Sequence, residues 1–110
     1  MPKYMGTWRA NTNAPWPLDP AAATQLLEMT FAAADEGLKS GRILDFGYFP
    51  NGTSGYVIYS GEAKDVFGGT FAQYPWWEWE VHETIDYETG KAAARQVLKA
   101  KAEQMAAMKR

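Results

Sequence analysis

The chain has 110 residues, 46% of them hydrophobic and 15% aromatic, with a net charge of −2; this is enough for one domain with a modest core and excludes a disordered chain. It has no cysteine and one histidine, His82, which excludes disulfides, thiolate nucleophiles, Fe–S clusters, cysteine zinc sites and a multi-histidine metal site within one chain. The charge is uneven: residues 91–110 carry six cations against Glu103, a net of +5, which leaves −7 on the first 90 residues.

Lys3 to Arg9 alternates loosely and reads as a first strand. Asn11 to Leu18, with Trp16 between Pro15 and Pro17, reads as a loop. Asp19-Pro20 starts a helix, an N-cap acceptor followed by proline at the first helical position. That helix is expected to run to about Leu38, with Ala23, Leu27, Phe31, Ala34 and Leu38 on one stripe, and to end before Gly41. Arg42 to Phe49 reads as a second strand and Tyr56 to Tyr59 as a third. Between them, Pro50 to Gly55 is a hairpin loop.

Glu62 to about Gln73 is expected as a short helix turning Ala63, Val66, Phe67 and Phe71 inward. Gly68-Gly69 weakens it by about 1 kcal/mol per glycine relative to alanine; close packing on the sheet or a hinge would account for the pair. Trp77 to Asp86 alternates with period two and is the fourth strand. Glu88 to Arg110 is a last helix with a thin apolar stripe of Ala94, Val97, Leu98, Met105 and Met108, interrupted by Lys101. Docking of this helix on its own body or on a partner subunit is expected. No run approaches the roughly 18 apolar residues of a membrane span. Met1-Pro2-Lys3-Tyr4 lacks the apolar core of a signal peptide, so a cytoplasmic protein is expected.

The order β-α-β-β-α-β is two β-α-β halves, the ferredoxin-like arrangement of an α+β fold. Right-handed crossovers put both helices on one face of a four-stranded antiparallel sheet, and the other face needs a cover, hence a homodimer. The strand segments Lys3-Tyr4-Met5-Gly6-Thr7-Trp8, Gly41-Arg42-Ile43-Leu44, Gly55-Tyr56-Val57-Ile58 and Trp79-Glu80-Val81-His82-Glu83-Thr84 resemble the dimeric α+β barrel superfamily, in which two such sheets pack face to face. The resemblance spans roughly residues 3–86 and is nearest the superfamily's small uncharacterised families. It implies residues 1–86 as the barrel domain, with residues 87–110 as a C-terminal amphipathic helix of the same unit. Muconolactone isomerases and cofactor-free monooxygenases belong to that superfamily. Its haem-binding members have a histidine pattern not matched here, so no cofactor and no metal are expected.

Alternation sorts the strands into faces. The face left for the partner is expected to carry Met5, Thr7, Arg9, Ile43, Asp45, Phe49, Val57, Tyr59, Glu78, Glu80 and His82. Five ionisable groups on a face meant to be covered imply a polar cavity, because buried charge is costly unless paired or hydrated. In it, His82 with Glu80 and Asp45 has the parts of a general acid–base set. Arg9 suits a carboxylate or oxyanion, and Tyr59 a carbonyl. Thr7 and Glu78 line the same face, and Trp16 is a candidate lid.

The expected ligand is a small aromatic or carbonyl metabolite held between the sheets. An isomerase-like or monooxygenase-like reaction is what the resemblance implies. The alternative is a non-catalytic homo-oligomeric assembly or ligand-sensing module. Carboxylates flank the aromatic strands and would repel phosphate, so neither nucleic acid nor membrane is an expected partner.

Overall fold

The computed structural model describes residues 2–109, in the order β1 (Lys3–Ala10), α1 (Pro20–Ser40), β2 (Ile43–Tyr48), β3 (Ser54–Ser60), α2 (Ala63–Phe71), β4 (Trp77–Thr84) and α3 (Tyr87–Met108). Local chemistry sets several boundaries. The Asp19 carboxylate accepts from the Ala22 amide at 3.2 Å, with Pro20 opening α1. Gly41, at φ +82°, closes α1 in the left-handed conformation and donates its amide to the Leu38 carbonyl. Asn51 Oδ1 accepts from the Thr53 amide and the Ser54 hydroxyl, which shapes the β2–β3 hairpin. Asp86 caps α3 by accepting from the Thr89 amide at 2.8 Å.

The sheet is open, antiparallel and four-stranded, in the order β2-β3-β1-β4. This is a small α+β fold compatible with the ferredoxin-like one. On the face toward α1 and α2, Trp8, Val57, Tyr59 and Val66 form the buried core; Tyr4, Ile43, Phe46, Trp77, Trp79 and Val81 pack around it. The ring of Trp8 crosses β3 directly over Gly55, where a Cβ would collide with the indole and with the Gly47 carbonyl. Among the described residues, no helix is long and apolar enough to cross a membrane.

The structure corrects several expectations. Ile43, Val57 and Tyr59 face the helices rather than a partner. Ile43 pairs with Tyr59 and Asp45 with Ile58, so Leu44 is the extra residue of a bulge that puts Ile43 and Phe46 on the same face. The third strand is apolar from Tyr56 to Tyr59, so it carries no alternation from which its phase can be read. In α2 only Val66 is buried. Phe67 and Phe71, expected inward, are 67% and 63% exposed and stack with Tyr74 in a surface ladder, at centroid distances of 5.7 and 5.9 Å. A Cβ at Gly68 or Gly69 would meet nothing within 4 Å, so close packing does not account for the pair.

α1 touches the sheet near its C-terminal end, where Gly37 is buried against the Ile43 side chain. α3 buries no residue and projects from the body, giving the molecule a length of 75 Å and a radius of gyration of 20.2 Å. A compact chain of this length would have a radius near 13 Å.

Because Gly55 lies between an indole and a carbonyl, neither of which can swing away freely, Gly55→Ala should lower stability by about 1–3 kcal/mol. Urea unfolding followed by tryptophan emission measures this; an unshifted midpoint would contradict the packing of Trp8 on β3.

Candidate functional site

The two faces of the sheet carry different chemistry. Between the inner face and helices α1 and α2 lies a cavity of about 530 Å³, within the range of small-molecule sites. Trp8, Phe46, Tyr59, Trp77 and Trp79 form its floor; Leu27, Phe31, Ala34 and Gly37 of α1 and Val66 and Gly69 of α2 form its walls. The cavity exists because the helices present small residues where the sheet presents large flat ones. Ala33, Ala34, Gly69 and Ala72 do not reach down to fill the space over the tryptophans.

The indole nitrogens of Trp8, Trp77 and Trp79 are buried and have no hydrogen-bond partner within the protein. An indole N–H can only donate, and a buried donor without an acceptor costs about 1–3 kcal/mol. The three rings border the cavity, but their nitrogens have almost no accessible surface and do not open onto it. Burial pushes the Tyr59 phenol up to about 12, so it remains a protonated hydroxyl throughout the neutral range. Glu36, Arg42 and Asp65 also border the cavity.

The outer face carries Asp45 and Gly47 of β2, Tyr56 and Ile58 of β3, Met5, Thr7 and Arg9 of β1, and Glu78, Glu80 and His82 of β4. Here the structure brings some of the expected residues together and separates others. His82 Nε2 lies 3.0 Å from Glu80 Oε1. Arg9 Nε donates to Glu78 Oε2 at 2.6 Å, and Thr7 lies in register between Tyr56 and Glu80.

Asp45, however, is on the opposite edge strand from His82, three strand spacings or about 14 Å away. It accepts a hydrogen bond from the Tyr56 hydroxyl at 2.9 Å, a contact that raises the Tyr56 pKa through the bond itself and the carboxylate's charge. Asp45 therefore cannot orient His82 within one chain, and Tyr59 is on the other side of the sheet. The remaining pairs are open to solvent, with side-chain exposures of 75% and 43% for Arg9 and Glu78 and 72% and 73% for His82 and Glu80.

Trp16 is a brace. Its ring packs against Trp76 at 5.1 Å and Trp77 at 5.4 Å, and its indole donates to the Asn11 carbonyl at 2.6 Å. Asn11 in turn donates to the Pro75 carbonyl, which ties the loop after β1 to the segment before β4. It does not line the cavity. The residues sequence reasoning missed as a site are Trp8, Phe46, Trp77 and Trp79. The signal that could have found them is the mismatch between tryptophans on the strands and alanines and glycines on the facing helices. Among the described residues, no group of three or more histidines or carboxylates could hold a metal ion.

The Tyr59 shift has a stability consequence with a definite sign. A phenol raised above its ordinary value of 10 binds its proton more tightly in the folded state. That contribution is fully present below pH 10 and is lost as pH rises toward 12. Thermal midpoints should therefore fall across that window, and Tyr59→Phe should flatten the fall; an unchanged slope would contradict burial of this phenol. No protein-family model matches the sequence, and no curated protein is significantly similar to it.

Proposed function

We propose that the protein binds a small planar aromatic or carbonyl-bearing molecule in the cavity between the sheet and helices α1 and α2. One observation carries this reading: five aromatic rings, those of Trp8, Phe46, Tyr59, Trp77 and Trp79, floor an apolar space of about 530 Å³. A ligand with flat apolar faces would stack on Phe46 and the tryptophans. Its carbonyl or hydroxyl oxygens would accept from the Tyr59 hydroxyl. This keeps the class of ligand expected from sequence and moves the site from the outer face to the inner one.

A second reading concerns the outer face. The contact between His82 and Glu80 at 3.0 Å supports an acid–base pair there. Met5 and Phe49, 42% and 40% exposed, together with half-buried Tyr56 and Ile58, support cover by a second copy of the chain. Sheet-to-sheet pairing of two ferredoxin-like protomers, the dimeric α+β barrel, is one form such a homodimer takes. In that assembly an isomerase or monooxygenase-like reaction would draw on His82 and Glu80.

Titration with 1,4-naphthoquinone, read by quenching of tryptophan emission, separates the two sites. Saturable quenching is expected in the native chain and in His82→Ala. It should be lost in Gly69→Phe, whose ring would occupy the cavity. Tyr59→Phe, which deletes the hydroxyl donor while keeping a ring, should weaken binding about fivefold, the equivalent of one hydrogen bond of about 1 kcal/mol. Full affinity in Gly69→Phe, or loss in His82→Ala, would move the site to the outer face.

A further inference from the structure

We infer that the outer face of the sheet is a seat for α3 of a second copy of this chain. Such a seat presupposes that two copies pair, as proposed above, and it names the part of the partner that makes the contact. α3 cannot use its own body in the conformation observed. It leaves β4 after Ile85 and the Asp86 cap, buries none of its residues and extends the molecule to 75 Å. Yet it is amphipathic: Ala94, Val97, Leu98, Lys101, Met105 and Met108 fall along one side. Val97, Leu98, Met105 and Met108 are 54–80% exposed.

Charge selects the occupant. Residues 91–110 carry a net +5 and the rest of the chain −7, so two such helices packed together would set like charge against like, whereas helix on body sets opposite charges together. On the outer face three carboxylates, Asp45, Glu78 and Glu80, stand against Lys3 and Arg9, with His82 beside Glu80. The apolar pair of that face, Met5 and Ile58, has His82 beside it on β4 and Asp45 on β2, and Glu80 and Glu78 follow along β4 beside Thr7 and Arg9. On α3, Arg95 and Lys99 run along one side of the apolar stripe.

The spacings agree as well. Four helical residues rise about 6 Å, and two strand residues about 6.7 Å, so Arg95 can meet Glu78 and Lys99 can meet Glu80, which brings the Met105 end of the stripe toward Met5 and Ile58. The Arg9–Glu78 pair is exposed and offers little resistance to exchange. Lys91 is already engaged, at 3.2 Å from Glu88 and over the Tyr87 ring.

Light scattering on a sizing column tests this. The full chain should run at twice its 12.3 kDa mass, and deletion of residues 91–110 should give a monomer with the near-ultraviolet tryptophan signal intact, since no α3 residue is buried. Glu78→Lys/Glu80→Lys and Arg95→Glu/Lys99→Glu should each weaken the dimer at least tenfold. All four changes in one chain should restore it, because helix and face are then again opposite in sign. Sheet-to-sheet and helix-to-helix pairing predict no restoration. A truncated chain that stays dimeric would overturn the α3 seat and leave pairing itself standing. A full chain that is monomeric at all concentrations, whether or not α3 carries it onto phosphatidylglycerol vesicles, would overturn both.

Discussion

The placement of the Trp8 indole is the constraint on which the rest of the structure depends. Trp8 lies on the central strand β1, opposite Gly55 on one side and Trp79 on the other. It packs on Phe46 at 5.8 Å, Tyr48 at 5.6 Å and Trp77 at 5.0 Å. A ring that large on a central strand requires a neighbour without a side chain, and Gly55 meets that need. Once the indole lies across β3, the phase of β3 follows, and with it the burial of Val57 and Tyr59. The helices then meet a floor of rings that their small residues cannot interlock with, and the cavity results. A single side chain thus links strand register to the existence of a binding space.

The two faces divide the chemistry by water. On the outer face Arg9, Asp45, Glu78, Glu80 and His82 each have a nearby partner and access to solvent, so those contacts are weak and exchangeable. On the inner face there is little charge, and the Tyr59 hydroxyl stands among aromatic rings. A donor in such surroundings discriminates among ligands, since a ligand lacking an acceptor leaves it unpaired. Selectivity is therefore expected from the face with the fewest ionisable residues.

Much of the architecture could be read from sequence because it is written in local chemistry. Asp19-Pro20 and Gly41 bracket α1, the alternation of WEWEVHET marks β4, and Asn51-Gly52 marks the hairpin. What could not be read was phase. Tyr56-Val57-Ile58-Tyr59 is uniformly apolar, and the bulge at Leu44 inserts one residue that no propensity announces. Those two features put Tyr59 and Ile43 on the other side of the sheet, whereas Asp45 is apart from His82 because β2 and β4 are opposite edges. The pairing of His82 with Glu80 was legible because i and i+2 on a strand always share a face. The cavity was not, because empty space arises from two elements failing to fill each other, a property of tertiary distance that no single segment encodes.

α3 adds a consequence of its own. With no side chain buried, its 22 residues are held by the Asp86 cap, by alanine-rich propensity and by local contacts such as Lys91 with Glu88. Within a single copy it therefore behaves as a helix–coil segment grafted onto a folded body, fraying from Met108 inward on sub-microsecond timescales while the sheet stays intact. Its amides should lose protection against hydrogen exchange long before those of β1, so one chain holds two regions whose order is set by unrelated physics.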